Sequence, residues 1–251
     1  MGSESGRGSR KKPAKKPGTT RRAVLIGGGA ALVGGGLWAQ EEIERLWRGM
    51  PWVRPPRKEG ELDFAGAQWV SANAANWRLA WRPDDYEIDR VVIHVVQGSY
   101  ATALKVFRDP LHKAATHYVV RKDGHVAQMI REYDVAYHCG NRSYNERSIG
   151  IEHEGFVDRP QDFTDAMYAG SARLTADICA RHDIPVDREH IVGHVEIPGT
   201  DHTDPGPHWD WDRYMKLVRA AMPEAKRAAE DSKRTRTAGE TGTPGSRVPA
   251  A

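Results

Sequence analysis

Apolar positions in the middle of the chain fall into short runs of two different periods. "RVVIHVVQG" (Arg90–Gly98) is a β-branched run closed by a glycine, the pattern of a strand buried on both faces. "ATALKVFRDP" (Ala101–Pro110) has helical spacing and stops at its proline. "THYVVRKDGHVAQMI" (Thr116–Ile130) is two β-like runs around Asp123-Gly124, a hairpin signal. "SIGIEHEGF" (Ser148–Phe156) reads as another strand. "FTDAMYAGSARLTADICARHDI" (Phe163–Ile184) predicts a long helix capped by Thr164 or Asp165, with Met167, Leu174 and Ile178 on one face. Gly170 shares that face and allows a neighbouring element to pack close. A short strand, "HIVGH" (His190–His194), and a closing helix, "WDRYMKLVRAAM" (Trp211–Met222), complete the pattern. Strands mixed with helices, one hairpin included, give an α/β domain: a mixed central β-sheet flanked by helices.

The flanks have a different character. From Pro223 to Ala251 only Val248 is large and apolar, so residues 223–251 are expected to be a disordered tail. Residues 40–61 read as a short helix followed by a Pro/Arg-rich linker. This leaves 62–222, about 160 of the 251 residues, as one folded domain. The first 39 residues carry Arg7, Arg10, Lys11, Lys12, Lys15, Lys16, Arg21 and Arg22 against Glu4 alone. They lead into an apolar, glycine-rich stretch, Ala23–Ala39. A basic region with paired arginines before a short apolar run reads as an export segment of the twin-arginine type. No clean small-x-small cleavage site precedes Gln40. Secretion after cleavage and anchoring without it both stay open, and membrane contact is expected only through this segment if it is uncleaved.

Composition adds little: 39% hydrophobic and 28% charged is ordinary for a globular protein. The net charge of +3, concentrated at the N-terminus, gives no argument for a nucleic-acid partner. A monomer is expected. The two cysteines, Cys139 and Cys179, form no metal-ligand spacing, and pairing and burial as free thiols are both open.

Chemistry concentrates in "IVGHVEIPGTDHTDPGPHWDW" (Ile191–Trp211), where three histidines and Asp204 share a stretch stiffened by Pro198, Pro205 and Pro207. His194 ends a strand, and Asp204 follows within Thr203-Asp204-Pro205-Gly206. His94 lies on a separate strand and completes a two-histidine, one-carboxylate set. Alone it would read as a core imidazole. Three nitrogen and oxygen ligands with one position left for water is the arrangement of a catalytic zinc. A hydrolytic zinc also needs a base, and Glu152 and Glu154 alternate onto one face of their strand with His153 on the other. The interior-looking run Ile149-Gly150-Ile151 just before them favours at least one buried, directed carboxylate. His202 lies two residues before Asp204, within reach of a developing negative charge. Trp77, Trp81, Trp209 and Trp211 read as packing residues, with stacking on sugars as the alternative.

Four segments together, "VVIHVVQGS", "THYVVRKDGHVAQMI", "YHCGNRSYNERSIGIEHEG" and "VGHVEIPGTDHTDPGPHWDW", resemble the zinc-dependent N-acetylmuramoyl-L-alanine amidases of the amidase-2 type. That family shares a fold with certain phage lysozymes and with peptidoglycan recognition proteins. The resemblance spans about Val91 to Trp211 in order and spacing. It implies a peptidoglycan recognition protein-like amidase fold, a zinc held by His94, His194 and Asp204, and Glu152 as the group that activates water. The family often has a lysine where His202 stands, so the resemblance gives His202 the oxyanion role with a charge that depends on pH. The family's aromatic-His-small-Gly motif matches Tyr137-His138-Cys139-Gly140, which implies that His138 and Asn141 lie near the substrate. The implied substrate is the amide between N-acetylmuramic acid and L-alanine in peptidoglycan or a muropeptide. The alternative is a non-catalytic peptidoglycan-binding module on the same fold.

Overall fold

In the computed structural model, residues 60–82 and 85–241 are described, with side chains through residue 234. The expected export segment and residues 40–59 of the linker lie outside the described residues. No helix among the described residues is long and apolar enough to cross a membrane.

The elements are β1 (Ala67–Trp69), β2 (Trp77–Arg78), β3 (Arg90–Val95), α1 (Tyr100–Arg108), β4 (Tyr118–Val120), β5 (Val126–Gln128), β6 (Val135–Ala136), α2 (Arg142–Arg147), β7 (Ser148–His153), α3 (Asp165–His182), β8 (Ile191–Gly193) and α4 (Trp211–Thr241). Six strands form one sheet in the order β1-β5-β4-β7-β3-β8, and β2 pairs with β6 in a separate two-stranded ribbon. Strands β4, β7, β3 and β8 are mutually parallel, whereas β5 runs antiparallel to β4. The sheet is therefore mixed, as the sequence pattern predicts.

Period-two alternation divides the sheet into two faces. On one face, Val91, Ile93 and Val95 of β3 and Ile149 and Ile151 of β7 join Met167, Leu174 and Ile178 of α3 and Tyr214 and Val218 of α4 in the main core. Thr164 caps α3 through its hydroxyl, which accepts the Met167 N–H at 3.1 Å. Gly170 does provide a close approach: a Cβ there would lie 2.5 Å from the carbonyl oxygen of Gly124, in the turn of the β4–β5 hairpin. The opposite face carries Val92 and His94 on β3 and Gly150 and Glu152 on β7. Register pairs His94 with Glu152 across the two central strands.

The C-terminal boundary requires a correction. Residues 223–241, expected to be disordered, continue α4 through Pro223. Ala225 and Ala229, four apart, are buried against the main core. Alanine, lysine, arginine and glutamate are strong helix formers, and a narrow alanine stripe suffices to dock a helix that has no large apolar residue. Both cysteines are free and buried.

Candidate metal centre

Three parallel strands deliver the site from their C-terminal ends, where ligands commonly bind in open α/β sheets. His94 is near the end of β3, Glu152 is its neighbour on β7, and His194 directly follows β8. The fourth residue, Asp204, arrives on the proline-rich loop after the one-turn helix His194–Glu196. Its carbonyl accepts the Val195 N–H at 2.9 Å, and its carboxylate accepts the Val95 N–H at 3.3 Å. Loop and sheet are thereby tied together at the site.

The geometry is that of a ligand set. His94 Nδ1 lies 3.3 Å from Asp204 Oδ2, and His194 Nδ1 lies 3.2 Å from Asp204 Oδ1. The two Nδ1 atoms are 3.1 Å apart. All three residues are buried, and one ligand atom from each falls within 4.8 Å of the others. Two imidazole nitrogens facing each other across a carboxylate are converging lone pairs, so the donor set fits a divalent transition metal. Burial tends to raise the Asp204 pKa, but the adjoining His194 and His94 rings hold it well below its ordinary value. Burial lowers the His94 pKa, favouring the neutral imidazole a metal requires.

Glu152 faces this cluster with Oε2 buried and without a hydrogen-bond partner. Burial, reinforced by the charge of Asp204, pushes its pKa well above the carboxylate range. Glu154 is used differently. Its two oxygens accept the backbone N–H groups of Tyr100 (3.1 Å) and Lys122 (3.0 Å), fastening β7 to α1 and the hairpin. His202 is 60% exposed, stacks on the His194 ring at 4.1 Å and approaches Asp204 Oδ1 at 3.4 Å. It stands beside the ligand set, facing solvent.

His138 lies against the inner side of the cluster, its Nδ1 2.9 Å from His94 Nε2. Its ring covers Gly150, where a Cβ would come within 2.7 Å of it. Burial, then the neighbouring histidines, lowers its pKa well below the ordinary value. Asn141, expected near the substrate, is not among the residues lining the cleft. Asn141 caps α2 by accepting the Tyr144 N–H at 3.2 Å and donates to the Pro198 carbonyl at 3.1 Å, so both ends of its amide are occupied away from the cleft. A cleft of about 1070 Å³ opens over the centre, lined by all the other candidate residues and extending past Lys113, Arg78 and Arg142. None of Trp77, Trp81, Trp209 and Trp211 lines it. Trp209 is buried against His153, Phe163 and Tyr168.

Two residues that shape the site escaped sequence reasoning. Asn145 Oδ1 accepts the N–H groups of His138 and Cys139, both at 3.1 Å, and so holds the histidine's backbone. Arg82, fully buried, donates to the carbonyls of Ser148 (2.7 Å) and Glu132, bracing the α2–β7 junction. An interior arginine has no local sequence signature. Asn145, inside an ordinary polar helix, has none either.

A family model for N-acetylmuramoyl-L-alanine amidases (amidase 2) matches residues 84–207, a span that holds every residue of the centre. N-acetylmuramoyl-L-alanine amidase A of Achromobacter lyticus is 34% identical over 176 residues, covering 62% of this chain and 96% of the relative. The 1,6-anhydro-N-acetylmuramyl-L-alanine amidase AmpD of Haemophilus influenzae is 32% identical over 162 residues, 55% of this chain and 86% of the relative. Among solved structures, a selenomethionine AmpD derivative matches with a TM-score of 0.53 at 28% identity, covering 65% of this chain and 99% of that one. The Staphylococcus aureus hydrolase AmiA shares the fold at 15% identity, with a TM-score of 0.52 over 68% of this chain and 97% of its own.

Proposed function

The chain belongs to the amidase-2 family of N-acetylmuramoyl-L-alanine amidases, and from that premise we propose that it uses zinc to hydrolyse the amide between N-acetylmuramic acid and L-alanine. The substrate is peptidoglycan or a muropeptide derived from it. The observation that carries this reading is the convergence of His94, His194 and Asp204 on one point, with Glu152 beside them at the floor of an open cleft.

His94 and His194 would hold the metal through Nδ1 and Asp204 through its carboxylate. Zinc so bound lowers the pKa of water and polarises a carbonyl. Glu152 takes the proton of the attacking water at its unpaired Oε2 and passes it to the amine of the departing L-alanine. His202, beside the ligand set, would donate an N–H to the oxygen of the former carbonyl as it gains charge. The strand pairing holds Glu152 at a fixed distance from His94, and the Val95 N–H keeps the Asp204 carboxylate turned inward.

We place the enzyme outside the cytoplasm, exported through its twin-arginine-type segment and acting as a monomer. The test is mass spectrometry of a defined muramyl-peptide incubated with the purified chain, before and after chelation. Release of a free peptide beginning with L-alanine, lost on chelation and restored by zinc, is the expected result. An intact substrate that stays bound would assign the non-catalytic module instead.

A further inference from the structure

We infer that His138 and Ser148 form a positioning relay that sets the tautomer and orientation of His94, an inference that rests on the metal-centre reading above. Neither residue reaches the ligand point itself. Their effect is exerted through the far nitrogen of one ligand.

The relay is a chain of three hydrogen bonds whose direction is set at its outer end. His94 Nε2 is 2.9 Å from His138 Nδ1. His138 Nε2 is 3.1 Å from Ser148 Oγ, and Ser148 Oγ is 2.5 Å from the carbonyl oxygen of Tyr144. A carbonyl only accepts, so the serine hydroxyl donates to Tyr144 and has lone pairs left for His138. His138 therefore carries its proton on Nε2 and offers a bare Nδ1 to His94. His94 in turn carries its proton on Nε2, leaving Nδ1 bare toward Asp204 and His194. A backbone carbonyl at the end of α2 thus dictates which nitrogen of His94 is free to ligate. Metal-binding histidines commonly donate their other N–H to a partner that fixes the ring, usually a carboxylate, carbonyl or water. Here a second imidazole fills that role.

Three features hold the relay in place. Gly150, without a Cβ, lets the His138 ring lie against β7. Asn145 grips the His138 backbone, and Arg82 grips the Ser148 carbonyl. The second histidine ligand has no counterpart among the described residues: His194 Nε2 is buried without a partner. The relay therefore acts on one ligand only.

The test uses the full-length chain stripped of zinc, with zinc affinity read by competition against a chromophoric chelator. His138→Phe fills the space without an acceptor and is expected to weaken zinc binding ~10–100-fold. His138→Asn places an oxygen near the former Nδ1 and is expected to recover most of that loss, with Ser148→Ala falling between. Nitrogen-15 NMR of the imidazoles in the zinc-free chain supplies a readout that a merely structural role would not move. Wild-type His94 is expected as the Nε2–H tautomer, and as a mixture in Ser148→Ala. Unchanged affinity in His138→Phe, equal losses in the Phe and Asn variants, or a wild-type His94 protonated at Nδ1 would each overturn the relay. If the phenylalanine variant does not fold, Ser148→Ala and the wild-type tautomer decide. A wild-type chain that binds no zinc would instead overturn the metal centre on which the relay depends.

Discussion

Replacing Gly150 by alanine separates the demands of the site from those of the strand. Backbone entropy alone favours the substitution, because glycine in a strand interior costs ~0.5–1 kcal/mol relative to alanine. The surroundings oppose it. The added Cβ would lie 2.7 Å from Cγ and Nδ1 of His138 and 2.8 Å from Thr116 Oγ1, about 0.7 Å inside ordinary contact. β7 cannot retreat, since β3 and β4 hold it on both sides. His138 must move instead, and Cγ is too close to its own backbone to swing clear. Overpacking of this kind costs ~1–3 kcal/mol, and loss of the 2.9 Å bond to His94 adds ~0.5–1.5 kcal/mol. A net destabilisation of ~0.5–4 kcal/mol is expected in urea melts of the zinc-free chain, after the entropy gain is subtracted. Zinc affinity is expected to fall with it, by ~10–100-fold. Gly98→Ala is the control: its Cβ meets only ordinary contacts at 3.6 Å and beyond, and the change should stay within ~0.5 kcal/mol. A Gly150→Ala protein as stable as wild type and with unchanged zinc affinity would refute the placement of His138 over this strand.

Glu152→Gln is expected to lower kcat ~10²–10⁴-fold with zinc affinity nearly unchanged, whereas Glu154→Gln costs ~1–2 kcal/mol of stability and little rate; steady-state kinetics beside urea melts would expose the reverse ranking. Free zinc at 100 times its Kd should raise the unfolding free energy of the wild-type chain by ~2.7 kcal/mol, and that of Asp204→Ala by nothing. A zinc-dependent shift that survives in the variant would remove Asp204 from the ligand set. Burial, then the Arg82 charge, lowers the His117 pKa to about 3. Between its ordinary value of 6.5 and about 3 the unfolded chain binds a proton that the folded chain refuses, so stability falls as pH falls through that window. The slope is up to ~1.4 kcal/mol per pH unit. His117→Asn, which keeps an acceptor for the Gly150 N–H, should flatten it by that share, and an unchanged slope would show that His117 is charged in the fold.

What could be read from the sequence is what local chemistry encodes. The hairpin at Asp123-Gly124, the Thr164 cap and the alternation of β3 follow from turn conformation, orphan helix N–H groups and the pleat. The ligands were legible for a related reason. Two histidines and an aspartate are among the few residue types that grip zinc, and each stands at a strand end or in a proline-rich loop. Positioning residues carry no such mark. Asn141 and His138 share one motif, yet the fold turns Asn141 to the α2 cap and the Pro198 carbonyl, and His138 to the back of His94. Arg82 acts on a carbonyl 66 positions away, and Asn145 on N–H groups six and seven positions back, outside its own helix, where neither residue type signals such a bond. Residues 223–241 read as disordered because large apolar side chains are the sequence sign of packing, whereas Ala225 and Ala229 dock by being small. A ligand is set by its element and its chemical type, so sequence exposes it. A residue that aims a ligand is set only by which atoms remain unpaired once the strands have come together. Its identity can therefore vary between serine, carbonyl and carboxylate without changing the outcome, and a single sequence gives no reason to single it out.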